Sequence, residues 1–156
     1  MLPTRVAVDE YTTPDPVTAN EDMSIDELRR LMETHGIRHL PIVRGRTVVG
    51  VISNRDIRLV SGLTSAERMQ IRAADIMAAT PMTVSASTPL DEVAFAMSER
   101  KVGSVIVNDE DGEFLGIFTA TDALNALIEI IRGGGIPVSW EDANRDTGEI
   151  AEGKAR

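Results

Sequence analysis

The chain has 156 residues, a formal net charge of −9, 42% apolar and 3% aromatic residues, and no cysteine. That length fits one ordinary domain or two small units sharing a core, and the core must be built from Val, Ile, Leu, Met and Ala, which suit thin helix-on-sheet layers. The acidity repels phosphate polymers and speaks against general nucleic-acid binding, although a few local cations or a helix start could still hold one small nucleotide. The missing cysteine removes disulfides, thiolate metal sites and cysteine nucleophiles. The opening MLPTRVAVDEYTTPDP has no apolar signal core. No apolar run approaches the roughly 18 residues of a membrane span, so no membrane role and a cytoplasmic location are the default expectations.

In chain order, a short extended piece is predicted around Thr18. An amphipathic helix follows, with Ile25, Leu28, Leu31 and Met32 on one face, Ser24-x-x-Glu27 as a capping box and Gly36 as its stop. RHLPIV and TVVGVIS read as strands across a polar turn, and a second helix runs from Asp56 to about Val60. The linker SGLTSAERMQIRAAD carries Thr64-x-x-Glu67, which signals a short helix. The series then begins again with an extended piece around Thr83. The next helix places Leu90, Val93, Ala96 and Met97 on one face, with Thr88 expected as its cap, Pro89 first and Asp91 third. SVIVN and FLGIFT are the strands that follow, and a last helix runs from Asp122 to about Ile131. After Arg132 come three glycines and a polar tail rich in Asp and Glu, expected to be mobile or weakly docked.

The second series repeats the first. With Pro16 set on Pro81, Thr18 falls on Thr83, Ile25 on Leu90, Asp26 on Asp91, Glu27 on Glu92 and Met32 on Met97. Ile37 falls on Val102, Leu40 on Val105 and Ile42 on Val107. One extra residue in the second turn then sets Gly50 on Gly116, Ser53 on Thr119 and Asp56 on Asp122, so that GVISNRD matches GIFTATD. The upstream stretches VDEYTTPDP and AADIMAATP align more loosely. Each unit reads β-α-β-β-α, an α+β class. A three-stranded sheet with two helices on one face is too small to hide its own apolar surface, so the two units must pack together.

Such a tandem, with P-h-T near the start of each unit and G-h-h-[ST]-x-x-D at its last strand-to-helix turn, resembles a CBS domain pair, or Bateman module. The likeness divides the chain into repeat 1 at 5–62, a linker at 63–73, repeat 2 at 74–132 and a polar tail at 133–156. It implies tandem repeats packed as one pseudo-two-fold module. Two clefts between the paired sheets would hold adenosine-containing ligands such as AMP, ADP, ATP, NAD or S-adenosylmethionine. It also implies a homodimer of modules and regulation of an effector protein instead of catalysis.

By itself [ST]-x-x-D at a helix start is a capping box, and that role alone would write the pattern twice. The resemblance adds a ribose. Asp56 and Asp122, as ionised carboxylates that only accept, would take the sugar hydroxyls, with Ser53 and Thr119 beside them and a phosphate welcome at the helix start. Arg38 and His39 would reach phosphates, with Arg55 as a further charge. Their counterparts Gly103, Ser104 and Thr121 carry no charge, so these cations cluster in the first unit. A solvated arginine and a satisfied strand-end histidine are the alternative. Thr18, Ala19, Thr83 and Val84 would meet the adenine or simply pack a strand. Leu40, Pro41, Val105 and Ile106 could line the clefts, with core packing as their primary role.

Other chemistries find little support. His35 and His39 are four apart, but the helix stop at Gly36 lies between them, which disfavours a metal site. Neither a nucleophile elbow nor a Walker A loop is present, and no base is recognisably paired with a nucleophile. No catalytic residue, metal or obligatory cofactor is therefore expected. Two readings remain in front: a regulatory module for an adenine nucleotide of the AMP or ATP type, and a ligand-free dimerisation or interaction module in which the motifs are only caps.

Overall fold

The computed structural model describes residues 5–133. A 3-10 turn at Val8–Tyr11 leads into strands β1 (Thr13–Pro14) and β2 (Ala19–Asn20), helix α1 (Ile25–His35), strands β3 (His39–Arg44) and β4 (Thr47–Ser53), and helix α2 (Asn54–Val60). Two short helices, α3 (Ser65–Arg68) and α4 (Ala73–Ile76), cross to the second series. That series holds β5 (Thr83–Ser85), α5 (Leu90–Arg100), β6 (Ser104–Asn108), β7 (Phe114–Thr119) and α6 (Ala120–Arg132). The polar tail beyond residue 133 lies outside the described residues.

Most elements begin and end on the residues that predict them. The Ser24 hydroxyl accepts from the Glu27 amide, and the Glu27 carboxylate accepts from the Ser24 amide at 3.0 Å. Thr64 and Glu67 do the same for α3. Gly36 ends α1 in the left-handed region at φ 62°. One expectation is corrected: Thr88 does not cap α5. Pro89 holds the cap position without a side-chain bond. Thr88 instead serves a turn, its amide donating to the Ser85 carbonyl and its carbonyl accepting from the Val8 amide at 2.9 Å. α5 ends on Lys101 at φ 53°, where α1 has glycine. An L-residue held left-handed there costs roughly 1–2 kcal/mol.

The sheets differ from the expected pair of three-stranded ones. The first has the order β2-β3-β4, whereas the second has four strands, β1-β7-β6-β5. Its extra strand comes from the leading segment of the first repeat. Thr13 pairs with Ile117 and Pro14 with Gly116, antiparallel. Upstream, the Leu90 amide donates to the Val6 carbonyl at 2.7 Å. The exchange is reciprocal. Ala73 donates to the Met23 carbonyl at 2.9 Å, and Ala78 and Val51 exchange amide-to-carbonyl bonds at 2.9 and 3.2 Å. The leading segment of each repeat therefore lies on the other repeat. An edge strand presents unpaired amides and carbonyls, and each borrowed segment satisfies some of them.

The exchange explains the glycine in the repeated motif. A Cβ at Gly116 would strike the Thr13 carbonyl oxygen and come within 2.9 Å of Thr12 Cγ2. One at Gly50 would come within 2.5 Å of Met77 Sδ and 2.9 Å of the Ala78 carbonyl oxygen. Both glycines make room for the crossing segment.

Alternate residues of a strand point to opposite faces. Leu40, Ile42 and Ile52 face the helices and bury against Ile25, Leu28, Met32 and Ile57. Leu90, Val93, Met97, Val105, Val107 and Phe118 are buried at the corresponding positions of the second series. On the other face Val51 of β4 packs with Ile106 and Ile117 of the second sheet, flanked by Val48 and Phe114. Sheets covered on both faces read as continuous apolar runs, and neither repeat can supply both covers alone.

Among the described residues, those through Ala123 belong to one compact unit and those from Leu124 to another. In the latter, α6 exposes Leu124, Leu127, Ile128, Ile130 and Ile131.

Candidate functional site

α2 begins at the end of β4, and its third residue is Asp56. The Asp56 Oδ2 accepts from the Ser53 amide at 2.7 Å and the Ser53 hydroxyl at 3.0 Å. The Ser53 Oγ accepts from the Asp56 amide at 3.3 Å. These bonds fix the carboxylate at the helix start and leave Oδ1 with no hydrogen bond from the described residues. The turn out of α1 lies alongside, because the Asn54 amide donates to the Arg38 carbonyl at 2.7 Å.

Here a cleft of about 640 Å³ opens. Such a volume falls in the range of small-molecule sites, about 300–1,000 Å³. From the first repeat it is lined by Arg38, His39, Val51, and Ser53 through Asp56, with Arg58 a turn further on. The crossing segment adds Ala78 and Thr80 through Met82, and the turn after α5 adds Lys101 through Ser104. Asp56 is the one carboxylate among the lining residues, against the cations Arg38, Arg55, Arg58 and Lys101. None of these four is in an ion pair among the described residues. In a chain of net charge −9 the cleft is thus a local positive field.

His39 is the first residue of β3, partly buried, with its ring over Gly103. A Cβ on Gly103 would lie 2.8 Å from His39 Nε2, so the ring occupies room that only glycine leaves. Burial lowers the imidazole pKa, the Asp56 carboxylate opposes that, and the Arg38 charge lowers it further. The folded state therefore holds this proton less readily than the unfolded chain, where histidine titrates near about 6.5. The stability this neutral histidine contributes is complete above that value and is lost as pH falls through the lower folded pKa. In urea melts the stability difference between the parent and His39→Gln should shrink from pH 7.5 to pH 5; a constant difference would contradict the assignment.

The predicted site residues separate into groups. Arg38, His39, Ser53, Arg55, Asp56 and Ser104 meet in the one cleft. Thr83 follows Met82 at its edge, with its hydroxyl bonded to the Pro81 carbonyl at 3.1 Å, and Val84 is partly buried beyond it. Thr18 is partly buried, while Ala19 and Leu40 belong to the helix-side core. Pro41 and Val105 are buried, and Ile106 sits between the sheets.

Thr119 and Asp122 repeat the capping geometry, Asp122 Oδ2 accepting from the Thr119 amide at 2.8 Å and its hydroxyl at 2.9 Å. There, however, Oδ1 also accepts from the Thr13 hydroxyl at 3.5 Å. The residue matching Thr13 beside Asp56 is Ala78, which has no hydroxyl to give. Thr121 is exposed.

Sequence reasoning missed Val51, Asn54, Arg58, Ala78, the segment Thr80 to Met82, and Lys101 to Gly103. Arg58 had a signal, lying three residues after Arg55 on one helix. Lys101 adds one cation from the second unit to the three that the first unit brings to the cleft. Its signal was a lysine standing where the repeat calls for the helix-stopping glycine, Gly36.

Two β-α-β-β-α repeats that exchange leading segments and frame a polar cleft define a paired-repeat α+β fold. The family model for the CBS domain matches residues 8–62 and 73–129, and the chain belongs to that family. It is 33% identical over 114 residues to an inosine-5'-monophosphate dehydrogenase of Korarchaeum cryptofilum, covering 73% of this chain and 23% of that protein. The chain thus spans about a quarter of that relative and shares only its CBS domain. A CBS domain-containing protein of Dictyostelium discoideum is 26% identical over 137 residues, covering 81% of this chain and 94% of that one. Among solved structures, CBSX2 in complex with AMP aligns with a TM-score of 0.70 and 26% identity, over 81% of this chain and 98% of that one. The CBS domain pair of MJ0100, in complex with 5'-methylthioadenosine and S-adenosyl-L-methionine, aligns with a TM-score of 0.69 and 27% identity, over 83% and 98%. No helix among the described residues is long and apolar enough to cross a membrane.

Proposed function

We propose that this chain is a regulatory module that binds an adenine nucleotide in the cleft at Asp56 and passes the signal to an effector protein, or through the geometry of a homodimer. The observation that carries it is the carboxylate of Asp56, with Oδ1 unused, beside Arg38, Arg55, Arg58 and Lys101 in one cleft. The carboxylate suits a ribose diol and the cations suit phosphate. Val51, Met82 and Val102 offer apolar surface for a base. Two similar pairs hold adenosine compounds, AMP in CBSX2 and S-adenosyl-L-methionine in MJ0100. Ligand shifts the module only through its differential affinity for two states. The exposed leucines and isoleucines of α6 are an apolar face that a second copy would cover.

The test is a thermal melt of the purified chain against AMP, ADP, ATP, NAD and S-adenosylmethionine, one at a time. A ligand at about 100 times its dissociation constant stabilises by about 2.7 kcal/mol. For a chain of this size that raises the midpoint by roughly 5 to 10 °C. No shift with any of them, together with a dimer by sedimentation, would replace this reading with that of a ligand-free interaction module.

A further inference from the structure

The cleft at Asp56 carries more positive charge than a nucleoside monophosphate needs. Arg38, Arg55, Arg58 and Lys101 against Asp56 leave three net positive charges around it, and the partly buried His39 adds none while neutral. A single phosphate group brings only about −1.5 to −2. The four cations also reach the cleft from different places. Arg55 and Arg58 share α2 with the ribose-type carboxylate, Arg38 comes from the turn before β3, and Lys101 comes from the turn after α5 in the other repeat.

Lys101 is the unusual member. It closes α5 at φ 53° and ψ 42°, the left-handed conformation that α1 assigns to Gly36. A lysine there carries backbone strain that glycine does not. Its side chain is exposed, outside any ion pair among the described residues, and it lines the cleft. No packing role in the core accounts for it.

We infer that Lys101 is a specificity-determining residue that makes this cleft prefer a nucleoside polyphosphate over the monophosphate, by meeting the phosphates beyond the first. The inference deepens the nucleotide-binding reading above and depends on it.

Calorimetric titration of the full chain with ATP, ADP, AMP and adenosine tests it, at fixed ionic strength with EDTA so that no divalent ion masks the phosphates. The parent should bind ATP at least about 10-fold tighter than AMP, the effect of added charge-assisted contacts. Lys101→Gly should lose about 10-fold for ATP and stay within about twofold for AMP, while Lys101→Arg keeps the preference. The melting midpoint of unliganded Lys101→Gly should be no lower than the parent's, since glycine relieves the strain. Equal affinity for AMP and ATP in the parent would overturn the inference and leave the nucleotide reading intact. An unchanged ATP-to-AMP ratio in Lys101→Gly would do the same, and would make Lys101 only a helix terminus. Failure of the parent to bind any adenine nucleotide would instead overturn the reading beneath it.

Discussion

Asp56→Ala should bind its adenine nucleotide about 100-fold more weakly than the parent, close to 2.7 kcal/mol. A hydrogen bond to a charged acceptor contributes about 1.5–3 kcal/mol, and a ribose diol makes up to two of them. The carboxylate is prepared for that role. Its Oδ2 is held by Ser53, so the group cannot swing away, while Oδ1 is unused by the described residues. Removing it also breaks the capping box of α2, which costs about 1 kcal/mol of stability. Asp56→Asn separates the two effects, keeping the shape and one acceptor oxygen while losing the charge. Its affinity should fall between the other two. Asp122→Ala should leave binding at the Asp56 cleft within about threefold, because that side chain serves the other helix start and takes the Thr13 hydroxyl. Calorimetric titration of the three variants decides the matter. Equal affinity in Asp56→Ala and the parent would remove the ribose assignment.

The second large effect is on stability. Gly116→Val should lower the unfolding free energy by about 3 kcal/mol and the melting midpoint by roughly 10 °C. The new side chain would occupy the space taken by the Thr13 carbonyl, which is backbone, and by Thr12 Cγ2, the methyl of a β-branched side chain that is stiff at χ1. β1 must move off β7, which gives up the pairing of Thr13 with Ile117 and Pro14 with Gly116. Gly50→Ala should cost less, because part of what it meets is the Met77 side chain, which can rotate. Gly62→Ala, with nothing within 4 Å of its new Cβ, should stay within about 0.5 kcal/mol of the parent. Urea melts of the three would show the ranking. A Gly116→Val chain as stable as the Gly62→Ala chain would mean that the crossing segment contributes little.

These two results bear on different levels of the molecule. The nucleotide experiment concerns a helix start, a local device written in four consecutive residues. The glycine experiment concerns the meeting of segments about a hundred residues apart. The Asp56 cleft depends on the helix start and on the matching crossing at Gly50, without which it would lose Ala78 and Thr80 through Met82, which form one of its walls.

Local forces decide the part of this molecule that is legible in its residues. Apolar spacing, capping boxes at Ser24, Ser53 and Thr64, and the stop at Gly36 place the helices and strands, because each depends on residues within a turn or two. The repeat also makes plain that two units must share a core. Tertiary structure alone decided which repeat each leading segment lies on, since two edges with similar unpaired amides compete for it and the periodicity of a two-residue strand carries no preference. It also decided that the motif glycine provides room instead of a positive φ, and that Lys101 joins Arg38 from the other repeat. Of the proposed site residues it gathered Arg38, His39, Ser53, Arg55, Asp56 and Ser104 into one cleft. It left Ala19, Leu40 and Val105 buried. Burial of a particular apolar residue is settled by what the rest of the chain packs against it, and no local pattern contains that information.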